Sequence, residues 1–227
     1  MAEIRSHPTG GPARTLHRGT RVPLSTYLER LESPVDWRRA VSLHRRLLAG
    51  DLSVLRETAR TESDNGPAAL ILALGVLAAS LGAWLWLVIE SRGAAVGDSA
   101  VHVLLLGSFA TLAAWGLWTV LTWRALRVVF QVEVGLRALA RSMAVAGGFF
   151  VWQFFMIAGP ASFAVGLVTT LAALLLAILA VRAAAPDADD RAAVISVGMG
   201  FAVYALALSM LADLAGIGSG IFVHALG

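Results

Sequence analysis

From residue 68 to residue 89 the chain runs without one charged side chain, and wound as an α-helix that stretch is about 33 Å long, enough to cross the hydrocarbon core of a bilayer. Asp64, Asn65, Gly66 and Pro67 stand directly before it as a helix-start signal. The pattern then repeats. Apolar runs follow at about 100–123, with His102 as the one ionisable side chain, at 142–158, at 161–181 and at 192–211. Gly159 and Pro160 break the helix between the third and fourth runs and force an antiparallel hairpin. Residues 216–227 are apolar and Gly-rich but too short to cross again, so they are expected at the membrane surface or against another chain. Composition agrees: 58% of the 227 residues are hydrophobic, 15% are charged, and the mean hydropathy is +0.75, outside the usual balance of soluble domains. The fold class is therefore an all-α integral membrane protein with five transmembrane helices, residues 66–215, behind an N-terminal region of short helices.

Residues 1–65 contain nothing like the apolar core of a signal peptide, so the N-terminus is expected to stay cytoplasmic. The first 20 residues mix Pro, Gly, Thr and Arg without periodicity and cannot offset their own ordering entropy by burial. Order sharpens at Ser33, a candidate N-cap, followed by Pro34 and by Asp36 at capping-box spacing. A helix over 34–48 follows, with Trp37, Ala40, Val41, Leu43, Leu47 and Leu48 on one side and Arg38, Arg39, Arg45 and Arg46 largely off that stripe. Gly50 stops it. Shorter helices are expected over 52–60 and, more weakly, over 24–31.

All 18 basic residues are Arg, which with abundant Ala and Gly points to a GC-rich bacterial genome, and 11 of them precede residue 66. With the N-terminus inside, Arg124, Arg127, Arg137, Arg141, Arg182 and Arg191 also fall on inner connections, leaving only Arg92 outside. The positive-inside rule then gives a multi-pass protein of the bacterial cytoplasmic (inner) membrane, N-terminus cytoplasmic and C-terminus external. Trp84 and Trp86 would belt the outer end of the first span, and Trp118 and Trp123 the inner end of the second. The connection over 124–141 keeps apolar residues between its charges and reads as an interfacial helix or an extension of the second span, its arginines snorkelling to phosphates. Arg38, Arg39, Arg45, Arg46, Arg124, Arg127, Arg137 and Arg141, with Trp37 and Trp152, are thus the candidate lipid or partner contacts, anionic headgroups included.

Chemistry is sparse by comparison. With Cys at 0, disulfides, thiolate metal sites and cysteine nucleophiles are excluded. No charge constellation sits in the middle of a span, where ion-coupled transport or catalysis would need one. Glu90, His102 and Asp213, with Asp98 near them, fall at span ends, so neither a catalytic nor a metal role is expected, and no cofactor. His102 and His224 are weak candidates for ligating a pigment or haem. Nucleic acid is not an expected partner, because the arginines lack an aromatic platform. Gln153, Thr169, Thr170, Tyr204 and Ser209 can bond between helices, and Gly75 with Ala79, Ala110 with Ala114 and Gly198 with Ala202 carry close-packing spacing. The aromatics of 149–155 would give the third span a broad lipid- or partner-facing surface.

The layout, with its polar tail, five spans, Arg-rich inner connection, Gly159–Pro160 hairpin and the link VRAAAPDADDRAAV into the last span, resembles the bacterial form of the Yip1-type membrane domain over residues 66–215. That resemblance implies a non-enzymatic protein that binds partners within membranes, as the family's eukaryotic members do in membrane trafficking. The Asp-Leu-Tyr-Gly-Pro element of those members has no counterpart in this chain, so no functional residue is carried over. The expected function is a non-catalytic scaffold that stabilises other membrane subunits. The alternatives are an accessory subunit of a photosynthetic or respiratory complex touching pigment or quinone, and a small-molecule transporter.

Overall fold

The computed structural model describes residues 36–93, 96–158 and 161–217, and among them there is helix and no strand. Two short helices, α1 (Trp37–Leu48) and α2 (Ser53–Arg60), precede α3 (Asn65–Glu90), α4 (Gly107–Val128), α5 (Leu136–Gly147), α6 (Ser162–Ala184) and α7 (Asp190–Ala215). Five helical runs are long and apolar enough to cross a membrane: Glu62–Glu90, Ala100–Val128, Leu136–Ile157, Ser162–Ala184 and Asp190–Ala215, here spans one to five. The all-α, five-span class expected from the sequence is the one the chain adopts.

Local signals set most helix ends. Asp36 caps α1 itself, its carboxylate accepting the Arg39 N–H at 3.0 Å; Ser33, Pro34 and the expected helix over 24–31 lie outside the described residues. Asp189 caps α7 through the Ala192 N–H. Pro67 sits in the first turn of α3, where a backbone N–H has no intrahelical partner to lose. Gly216 ends α7 in the left-handed conformation at φ +61°, where glycine carries no Cβ penalty. The Gly159–Pro160 turn and residues 218–227 lie outside the described residues.

The connection over 124–141 is not one interfacial helix. Span two continues through Arg124 and Arg127 to Val128, a turn carrying Gln131 at φ +54° follows, and α5 begins at Leu136. The indole N–H of Trp123 donates to the Val134 carbonyl at 3.0 Å and pins that turn. The second half of span three, Gly148–Ile157, is a 3₁₀-helix. Twelve α-residues and ten 3₁₀-residues rise about 38 Å together, against about 33 Å for the same length of α-helix.

The core runs along the bundle axis. Trp115 and Trp118 of α4 are fully buried and meet edge-on with ring centroids 4.6 Å apart, with Phe150, Phe201 and Tyr204 packed around them. Trp118 donates to the Val197 carbonyl at 3.0 Å. It is a core residue and not part of an interfacial belt, its indole N–H satisfied by a backbone carbonyl inside the apolar interior. Spans one and three approach backbone to backbone: a Cβ built on Gly75 would stand 2.9 Å from the Gly147 oxygen, and one on Gly82 would stand 2.6 Å from the Phe154 oxygen. Gly198 and Ala202 do not mark a packing seam, since Gly198 faces open space; the close approach on α7 is Gly200 against Trp118 and Thr122.

Candidate functional site

Three carboxylates and three arginines knit α1 and α2 to each other and to the bundle. Arg39 holds Asp64 bidentately, Nε to Oδ1 at 3.0 Å and Nη2 to Oδ2 at 2.9 Å, and reaches Glu57 at 2.6 Å. Asp64 is buried, and sequence reasoning had read it only as part of a helix start. Arg46 joins Asp51 at 2.8 Å to Glu57 at 2.7 Å. The guanidinium groups of Arg39 and Arg46 hold the Glu57 carboxyl below its usual range, and the Ser53 hydroxyl followed by Arg46 does the same for Asp51. Arg39 and Arg46, two of the expected lipid contacts, are therefore spent on internal ion pairs.

Arg141 is not a surface arginine at all. It is 6% exposed, donating from Nε to the Thr58 carbonyl at 2.9 Å, from Nη2 to the Ala59 carbonyl at 2.6 Å and from Nη1 to Asn65 Oδ1 at 3.1 Å. Those two carbonyls belong to the last turn of α2, where the helix dipole is negative and the acceptors lack intrahelical partners. A cation from span three thus caps the helix that precedes span one. The signal was present in the sequence: around Arg141 stand Ala138, Ala140, Ser142, Ala144 and Ala146, small residues on every side of the helix, which mark a helix buried all round. His44 is a second residue the sequence reading passed over. It packs where Gly148 lacks a side chain, its Nδ1 is buried without a protein partner, and burial lowers its pKa.

What remains free on α1 forms one face. Ala40, Leu43 and Leu47 turn inward, whereas Trp37 is 61% exposed, Val41 47% and Leu48 37%. Arg38 and Arg45 are exposed on this side, and the Arg38 guanidinium lies 5.7 Å from the centroid of the Trp37 ring. An open depression on the helix is lined by Arg38, Val41, Ser42, Arg45, Arg46 and Ala49. Of the other expected contacts, Arg124, Arg127 and Arg137 are exposed, with Arg127 5.4 Å from the Trp123 ring centroid. Trp152 is exposed and stacks on Phe155, but Phe150 is buried in the core, so the aromatic surface of span three is narrower than its sequence suggests.

Toward the other end of the bundle lies a partly open cavity of about 50 Å³, lined by Ser80, Thr111, Gln153, Thr170 and Tyr204 among apolar residues. That space accommodates a few water molecules. Both departures from α-helical geometry border it: Val103, from the π-helical stretch Ala100–Leu106 that opens span two, and Phe150, Gln153 and Met156 from the 3₁₀ half of span three. Gln153 donates to Thr170 Oγ1 at 3.4 Å across spans three and four; Thr169, in contrast, bonds to its own helix. The lining is neutral, suited to holding water or a small uncharged solute. His102 stands half-buried in the π-helical stretch, and Glu90 and Asp213 are exposed at span ends. Among the described residues no three His, Asp or Glu side chains come together as a metal site. His224 lies outside the described residues.

Comparison with known proteins gives no match to a family model, to a curated protein or to a solved structure.

Proposed function

We propose that the chain is a non-catalytic multi-pass protein of the bacterial inner membrane, N-terminus cytoplasmic, that organises or stabilises other membrane components through α1, the tail before it and the flank of its bundle. One observation carries this reading. The inner arginines of α1 are locked in ion pairs while Trp37, Arg38, Val41, Arg45 and Leu48 form an outward face that nothing described covers. A face of indole, aliphatic carbon and guanidinium suits the headgroup layer, where apolar groups enter the acyl boundary and cations meet phosphate. The same chemistry suits an acidic segment of a neighbouring subunit. The Arg asymmetry and the Yip1-type layout support the orientation and the non-enzymatic class.

The test is purification of the full chain from its native membrane in mild detergent, beside a W37A/R38A/R45A variant and a deletion of residues 2–32. Loss of specific co-purifying subunits or anionic lipid with either change, at unaltered insertion, is the expected result. Identical recovery from all three across a salt series would end the proposal. A visible absorption band or quinone in the purified material would move the reading to an accessory subunit of a bioenergetic complex. The neutral cavity bordered by two non-α segments favours a second reading, a carrier for a small uncharged solute, because broken helices commonly surround transport sites. Solute-driven swelling of proteoliposomes that Q153L abolishes would select it.

A further inference from the structure

Small side chains on three spans face one another at the end of the bundle that carries α1 and α2. Ala68 and Ala69 of α3, Gly116 of α4, and Ala140 and Ala144 of α5 leave between them a groove of about 370 Å³, open along one side. That is the size of a small-molecule site, and the exposed wall is almost wholly apolar. It reaches from Asn65 to Leu72 along span one, about 10 Å of helix. Gly116 keeps it open: a Cβ there would meet nothing within 4 Å. Trp115, whose indole N–H has no hydrogen-bond partner in the protein, lines the groove.

One exposed cation stands at its mouth and one buried cation lies in its wall. Arg137 lines the groove, is exposed, and forms no ion pair among the described residues. Arg141, buried in the lining, is held by two carbonyls and an amide oxygen and pairs with no carboxylate, so it adds positive potential behind Arg137. An apolar slot of this depth with uncompensated positive charge at one end is complementary to an amphiphile with one hydrocarbon chain below an anionic head.

We propose that this groove is a site for an anionic phospholipid of the surrounding membrane, with one acyl chain lying along Gly116 between spans one, two and three and the phosphate beside Arg137 and Arg141. The inference deepens the lipid-contact reading and rests on it, but not on the face of α1. Water is a poor occupant, since the wall offers it few partners. A chain in the groove also completes the packing that the alanines and Gly116 leave undone.

The experiment reconstitutes the full chain in nanodiscs of equal phosphatidylglycerol and phosphatidylcholine, the phosphatidylglycerol carrying a photoactivatable group on its acyl chain, and maps adducts by peptide mass spectrometry. Adducts should concentrate in residues 112–120 and 136–144. G116F, which fills the slot from an open position, should lower them at least tenfold while sparing adducts at outward residues such as Leu175 and Leu206. R137Q should keep the acyl adducts but lower the preference for phosphatidylglycerol about fivefold. If G116F elutes as misfolded material, A140L replaces it. Adducts spread evenly over the outward positions, or unmoved by the filled groove, would overturn the proposal. So would a cross-link from position 116 to residues 1–35, which would make the chain's own tail the occupant. No adduct anywhere on the chain would remove the membrane reading with it, whereas failure of the α1 variants alone leaves this site standing.

Discussion

At the end where α1 and α2 dock, the transmembrane segments are α-helical apart from the single 3₁₀ turn Glu62–Asp64 that opens span one, and charge is used as mortar. Arg141 caps α2, Arg39 closes on a buried Asp64, and Ser142 donates to the Ala180 carbonyl of span four at 3.2 Å. At the other end span two opens with a π-helical stretch, span three is 3₁₀, and a small separate apolar cluster of Ala83, Val103 and Met156 surrounds neutral hydroxyls and one amide. The difference lies in specificity. Inside a bilayer apolar burial gives helices no reason to prefer one partner surface over another, and directional groups decide where a segment sits. The docked end has charge-assisted hydrogen bonds for that purpose. The far end has a cavity and non-α backbone, features that often accompany function or movement.

Removing Arg141 should break this contrast most severely. R141M retains much of the apolar volume but strips three donors, leaving the carbonyls of buried Thr58 and Ala59 unmatched, whereas exposed Asn65 can turn to solvent. Charge-assisted hydrogen bonds of this kind are worth about 1.5–3 kcal/mol each, with strong non-additivity, so a loss on the order of 3–5 kcal/mol in the docking of α1 and α2 is expected. Limited proteolysis between α1 and α2, near Asp51, reads it directly. Cleavage should accelerate more than tenfold while the spans stay protected. Protection equal to wild type would show that apolar packing by Leu43, Leu47, Val54 and Leu55 holds the helices without the cation.

A second change works at the seam joining both ends. G82V places a side chain where even its first carbon would stand 2.6 Å from the Phe154 oxygen, so span one must move away from the 3₁₀ half of span three. Overpacking of this type costs about 1–3 kcal/mol. G198V is the matched control, because that glycine faces open space and should tolerate the change within about 0.5 kcal/mol. Thermal unfolding in detergent, followed by helix content, compares the two. Equal midpoints for both variants would mean that the close backbone approach contributes nothing.

The spans and their order were legible because length and the absence of charge suffice for them, whereas the caps at Asp189 and Gly216 went unread although Asp and Gly are ordinary cap residues. The candidate site was legible only in part. Arg38, Arg45, Arg124, Arg127 and Arg137 are exposed, whereas Arg39 and Arg46 are held in ion pairs and Arg141 is buried; the small residues around Arg141 hint at its burial, but nothing in the run of arginines marks which ones have partners. Those partners, Asp51, Glu57, Asp64 and the carbonyls of Thr58 and Ala59, are 5 to 83 residues away in sequence, and the last two lie on the backbone. The groove at Gly116 escaped for a similar reason. It is made of alanines and a glycine, which in a single helix read as packing residues and become a void only when three helices present them to one another. The 3₁₀ stretch at 148–157 left no trace in the hydropathy.

The gentlest way to sharpen the comparison is pH, which should loosen the docked helices in two steps. The pKa of His44 is lowered by burial, so the docked state disfavours its protonation; that part of the stability is complete above the unfolded value of about 6.5 and declines as pH falls below it. Glu57 is held low by Arg39 and then Arg46. Its contribution is present above the ordinary glutamate value of about 4.3 and is lost as pH falls through the lower, docked value. Because its side chain is 36% exposed, solvent screening keeps this second contribution below about 1 kcal/mol. Amide exchange in α1 and α2, corrected for the intrinsic pH dependence, should therefore rise modestly from pH 7 to 5.5 and again below pH 4. In H44F the first rise should vanish, and in E57Q the second should vanish, with exchange already elevated at neutral pH. A single transition common to wild type and both variants would assign the acid response to groups elsewhere and remove charge as the reason the docked end differs from the far one.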